Sequence, residues 1–240
     1  MKKILLFLIL AVVVNSVFLF SDEPDETNAL PQWLAESWVS LGYEHGIFTE
    51  RSYVDGKAVE TTTSSPGISF GGYRFFFGMN AGIFVDAFFG FPVVEVVEKD
   101  GRFTRNNFSD SVFNMQIGLI VGPGFRIPME RVNFKFAFGL GFLLNSNFYT
   151  EYIPDWGDYP CTKQTFSFGI GGDIGTKIDI TDTIFISVGS IFTYDFRSHL
   201  DVKMPYEKSS GWVDGYGMFG ARLYVTIGMN LFWKYPEAVK

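Results

Sequence analysis

Cysteine is almost missing. Cys161 is the only one in 240 residues, so no disulfide can form within the chain. None stands near the apolar N-terminus, which excludes a lipid anchor of the bacterial lipoprotein kind. Histidine is as scarce: His45 and His199 are the only two, too few without partners to suggest a metal centre. Positive charge is also short. The formal net charge is −7, and loss of Lys2 and Lys3 with a leader would take it to −9. No basic stripe is left to neutralise phosphates, so nucleic acid is excluded as a partner. Nothing in the composition calls for a cofactor.

Long apolar runs are missing too, with one exception. MKKILLFLILAVVVNSVFLFS places Lys2 and Lys3 before an apolar stretch, Ile4 to Phe20, broken by Asn15 and Ser16 and followed by the acidic DEPDE. This is the layout of a secretory signal peptide. Cleavage after Ser21 is expected, with Ser16 as the second choice. An uncleaved anchor is the alternative, because the run falls at the lower edge of spanning length. The expected organisation is a signal peptide over 1–21, a periplasmic segment over 22–36, a β-domain over 37–235 and a tail over 236–240.

What the chain has in excess is phenylalanine (28) and glycine (26). The stretch VNFKFAFGLGF, residues 132–142, shows how they are arranged. Val132, Phe134, Phe136, Phe138, Leu140 and Phe142 alternate with Asn133, Lys135, Ala137, Gly139 and Gly141. A β-strand sends the two sets to opposite faces, so the lysine need not share the environment of the phenylalanines. The same period recurs from Phe166 to Ile180, Ile184 to Arg197 and Phe219 to Trp233, and more noisily from Trp38 to Ile47, Gly67 to Phe77, Ala81 to Val93 and Val112 to Arg126. In 67–77 the pair Gly71-Gly72 could form a bulge, which leaves the face of Arg74 open.

Eight strands result. Tight segments (78–80, 128–131, 181–183) alternate with polar connections of a dozen residues or more (49–66, 98–110, 147–164, 198–214). An even strand count with short turns at one end and long loops at the other describes an all-β, antiparallel, up-and-down transmembrane barrel. Its apolar face would meet lipid and its polar face would line the lumen. Trp33, Trp38, Tyr149, Tyr152, Trp156, Trp212, Trp233 and Tyr235 stand near strand ends, where aromatic girdles belong. A soluble sandwich or lipocalin-like barrel, with the apolar face inward, is the competing reading.

The last strand carries TIGMNLFW, residues 226–233. Thr226, Gly228, Leu231 and Trp233 fill the positions of the C-terminal outer-membrane insertion signal, although KYPEAVK continues past the final aromatic residue. With the strand layout, this resembles the small eight-stranded outer-membrane barrels of the OmpW, OmpX and OmpA-barrel kind. The resemblance implies residence in the bacterial outer membrane, insertion by the barrel-assembly machinery, a periplasmic N-terminus and surface-exposed long loops. It implies outer-membrane lipid as a partner, with an extracellular ligand or a small solute open beside it.

On the lumen face the alternation places Glu44, Asp86, Asp173, Asp179 and Asp195 against Arg74, Arg126, Lys135, Lys177, Arg197 and Arg222. An eight-stranded barrel encloses little more than its own side chains, so these are expected to form a salt-bridged plug. Phe84, Phe88, Ile120, Phe185, Ile191 and Phe232 share that face, which keeps an OmpW-like narrow passage for small hydrophobic solutes as the alternative. A lipid-modifying enzyme built on Ser198, His199 and Asp201 is a third reading, and it requires those groups to converge. The leading expectation is a non-enzymatic barrel serving surface contact or envelope integrity.

Overall fold

The computed structural model describes residues 35–233 except 55–56, 76–78, 108–112, 154–156, 205–207 and 214. The expected signal peptide, residues 22–34, the last two positions of the expected β-domain and the tail lie outside the described residues.

Strands apolar on one face and small or polar on the other pair side by side into a closed sheet. Its elements are β1 (Ala35–Val54), β2 (Lys57–Phe75), β3 (Ala81–Gly90), β4 (Val94–Lys99), β5 (Arg102–Asn107), β6 (Phe113–Met129), β7 (Val132–Ile153), β8 (Gly157–Asp179), β9 (Ile184–Lys203), β10 (Lys208–Trp212) and β11 (Gly217–Trp233). All pairings are antiparallel, and β1 closes the ring by pairing with both β2 and β11. The eleven elements make eight staves. β3 and β4 both lie along β2, β5 and β6 follow as the next stave, and β10 and β11 both lie along β9. The fold is the expected eight-stranded up-and-down barrel. β1 begins at Ala35, so the first stave takes in the last two residues assigned by sequence to the segment before it.

The polar connections differ from expectation. Most of 49–66, 98–110, 147–164 and 198–214 is strand rather than loop, with β7 reaching 22 residues and β8 23. About 9–11 residues suffice to cross a bilayer, so these staves continue well past it. Beyond the membrane the outward face of a strand meets water and only scattered inward positions, such as Val59, Cys161 and Val202, are buried, so the alternation fades although the ladder continues. The β-branched run in VETTTSS (59–65) still favours strand. Between β4 and β5, Asp100 and Gly101 adopt φ of 53° and 74°, the pair of left-handed residues that a tight hairpin requires.

The outward positions form a belt. Along β8 and the residue after it they run from Ile170 to Ile180 and on β11 from Phe219 to Met229, with Ile174 and Leu223 both 64 % exposed. Ten steps of roughly 3.3 Å, tilted by about 40°, give a band roughly 25 Å tall, matching the hydrocarbon band of a transmembrane barrel. In water such a surface would be a contiguous apolar patch far larger than soluble proteins carry. The apolar face is outside.

Candidate functional site

The inside of the barrel is filled in layers. At the short-turn end, the Arg126 guanidinium pairs with Glu36. Its central carbon lies 4.4 Å from the centre of the Phe75 ring and 5.5 Å from that of Trp38. Beside it Lys177 pairs with Asp179 at 2.5 Å and sits 4.4 Å from the Trp38 ring. Asn133 and Asn230 donate to the same Asp179 carboxylate, at 3.2 and 2.8 Å. Cations pressed on aromatic faces gain from the ring quadrupole, most of all where water is excluded.

One layer further in, Asp173 is fully buried. Its carboxylate accepts hydrogen bonds from Tyr73 (2.5 Å) and Tyr224 (2.7 Å), and Lys135 Nζ stands 3.3 Å away. The same ammonium lies 5.1 and 4.7 Å from the centres of those two tyrosine rings. Tyr224 fits because Gly175 and Gly189 face it; a Cβ at either would collide with its hydroxyl. Above this, Arg222 Nη1 stands between Glu44 (2.9 Å) and Asp86 (3.0 Å). These are close ion pairs whose geometry is off-line for hydrogen bonding, since the same atoms make no aligned bond to each other. Asp195 accepts from Ser167 at 2.7 Å. Phe48, Phe88, Leu143, Tyr216 and Met218 close the top as an apolar layer. A void of about 20 Å³ lies between these layers, bordered by Ser40, Ser69, Asp86, Asp173 and Thr226. That is room for a water molecule or two.

Above the belt, half-buried Glu50 is held above the ordinary carboxylate range by burial, against the pull of Lys163 and with the push of Glu95.

The barrel therefore assembles Glu44 with Asp86 and Arg222, Lys135 with Asp173, and Lys177 with Asp179, and it places Arg126 and Asp195 inside as well. Two positions differ from expectation. Arg74 lies on the outer side of β2, because the ladder runs unbroken through Gly71-Gly72 and sends Tyr73 and Phe75 inward. Arg197 is exposed on the outer wall, because β9 bulges opposite Phe168 and Gly169: Phe168 pairs with Arg197 and Gly169 with Asp195, leaving Phe196 as the extra residue. Phe232 falls outside the described side chains. Trp38, read as a girdle residue, is buried in the plug.

Sequence reasoning missed Glu36, Tyr73 and Tyr224 as partners in the ion-pair layers. Glu36 was hidden by starting the barrel two residues late, and extending the alternation of β1 backward from Glu44 would have found it. With Glu36 added and the two arginines removed, carboxylates outnumber cations inside, reversing the near balance read from sequence.

Ser198 and His199 do not converge. Ser198 is buried on the inner face and donates to the Phe166 carbonyl, while His199 packs edge-on against Trp212 on the outer wall. His45 bridges Tyr43 and Ser64, both at 3.0 Å. Asp201 stands 3.8 Å from Lys203. Of the expected insertion signal, Thr226 and Gly228 face inward, Leu231 lies on the outward side, and Trp233 closes β11 opposite Ala35.

No protein-family model matches the chain, and no curated protein matches it in sequence. Solved structures match in fold. The outer membrane protein OprG from Pseudomonas aeruginosa superposes with a TM-score of 0.50 at 9 % identity, over 82 % of this chain and 96 % of its own. A major outer membrane protein from Thermus thermophilus gives 0.51 at 9 % identity, over 79 % of this chain and 99 % of its own. With its lipid-facing belt, the chain has the fold of the small bacterial outer-membrane β-barrels.

Proposed function

We propose that the protein is a closed, non-catalytic outer-membrane barrel that holds four long β-hairpin connections at the cell surface, for surface contact or envelope integrity. The observation that carries this reading is the filled lumen. Two aromatic layers and the ion pairs between them leave a void of about 20 Å³, too small for a solute to traverse. The long extensions all project from one end of the barrel, which gives the molecule an extended surface where it has no passage. The opposite faces of Ser198 and His199 weigh against the hydrolase reading. Insertion by the barrel-assembly machinery through Thr226, Gly228, Leu231 and Trp233 belongs to the same proposal.

The orientation follows from export. With the N-terminus left in the periplasm, β1 runs outward and the first hairpin emerges outside. Cysteines placed at Lys57 and Lys208, both exposed near hairpin ends, should react with a membrane-impermeant maleimide on intact cells. A cysteine at Asp182, in an exposed short turn, should react only after the envelope is broken. The native thiol, Cys161, is buried and gives little background. Labelling of Asp182→Cys on intact cells, with Lys57→Cys and Lys208→Cys protected, would contradict the orientation and the surface role together.

A further inference from the structure

The bulge in β9 has a specific result: it turns a guanidinium from the lumen to the outer wall. On β9 the lipid-facing run ends at Phe196, and Arg197 follows at once on the same face. Bulges are a means of re-aiming a side chain, at the expense of regular ladder bonds. Here the re-aimed group is a cation placed where the hydrocarbon band stops.

Its surroundings are built rather than incidental. The Arg197 guanidinium carbon lies 5.2 Å from the centre of the Trp212 ring. That ring is 52 % exposed and stands edge-on to Phe168, with centres 6.3 Å apart, and to His199 at 5.3 Å. β10, the short strand that carries Trp212, pairs with β9 and sets Trp212 directly opposite His199. The Val213 amide then donates to the Ser198 carbonyl and fixes the strand end. Indole rings of this kind favour the headgroup level, where one side is apolar and the other wet. Among the described residues no carboxylate lies within ion-pair distance of Arg197; Asp201, further along β9, stands by Lys203 instead. A guanidinium set over a ring, with no carboxylate on it, has N–H groups left to form a fork that matches phosphate oxygens.

We propose that Arg197, backed by Trp212 and His199, binds the phosphate of an anionic lipid in the leaflet next to the hairpin end of the barrel. The proposal rests on the membrane-spanning reading and not on the plug. Arg51 supplies a contrast: it is also exposed and stacked on an aromatic ring, Tyr53 at 5.9 Å, but it sits opposite Glu60 in the β1–β2 ladder.

The test uses the full mature chain refolded in vesicles of phosphatidylcholine with a minor fraction of phosphatidic acid, then extracted gently for native mass spectrometry. Migration of the unheated protein in gel electrophoresis reports insertion separately, so a failure to form a barrel is distinguished from a failure to bind lipid. Wild type and Arg51→Gln should retain phosphatidic acid about fivefold more than Arg197→Gln, the effect of one interfacial cation. Phosphatidylcholine retention should be equal in all three. If Arg197→Gln does not insert, Trp212→Leu removes only the backing ring and must show the reduced retention. Equal retention in Arg197→Gln and wild type, or an equal loss in Arg51→Gln, would overturn the proposal. Displacement of the lipid by millimolar inorganic phosphate would overturn it as well, making the site one for a soluble anion.

Discussion

Replacing Arg222 by methionine is expected to destabilise the barrel by about 3–5 kcal/mol, the cost of leaving buried charge uncompensated. The arginine is the cation within ion-pair distance of both Glu44 and Asp86, and all three are nearly inaccessible to water. Methionine fills similar space, so the loss is electrostatic rather than a cavity. Lys135→Met should cost less than Arg222→Met. Asp173 would lose its ammonium partner at 3.3 Å but keep the hydroxyls of Tyr73 and Tyr224. Urea unfolding in lipid vesicles gives both values, and a triple variant tests the cause: adding Glu44→Gln and Asp86→Asn to Arg222→Met should restore most of the lost stability. If Arg222→Met is silent, that carboxylate pair is not buried in a dry lumen.

The second large effect lies one residue from Lys135. Phe136→Lys should cost about 2–4 kcal/mol near the middle of the bilayer, because it puts an ammonium group into hydrocarbon. Phe136 is exposed on the outer wall and stacks on Phe125 with ring centres 5.2 Å apart. The same substitution made at Thr49, outward on β1 and one outward position beyond the exposed Ile47, should be nearly neutral. The contrast between the two positions is read by the same unfolding measurement. Equal, small effects at both would mean that the apolar face does not meet lipid.

The transmembrane staves were legible because one simple rule holds along them. In β7, β8 and β11 every second residue meets lipid, so composition and face coincide over ten positions or more. Legibility ended where a second environment intruded. The β9 bulge could not be read from FTYDFRSH, since Phe196 and Arg197 fit the alternation perfectly well until the ladder skips a residue. The hairpin extensions were invisible for the opposite reason: with the outward face in water and only a few inward positions buried, such as Val59 and Cys161, the alternation is too weak to tell an extended ladder from a polar loop. Within the lumen, the alternation identified which side chains point inward, and strand order identified meetings between neighbouring strands but not those across the barrel. The Lys135–Asp173 pair joins strands adjacent in sequence, and β7 and β8 bring it together. The meeting of Tyr73 with Asp173, 100 positions apart, depends on how the closed barrel brings β2 across to β8.

A lumen filled in this way closes the barrel to ions. Purified, refolded protein in a planar phospholipid bilayer measures that directly, as current under an applied voltage in molar potassium chloride. Insertion without any stable open level is expected, because Trp38, Tyr73 and Tyr224 and the ion pairs around them occupy the path. Reproducible single-channel steps from the wild-type protein, abolished by no treatment except its removal, would contradict it and return the lumen to the class of narrow passages.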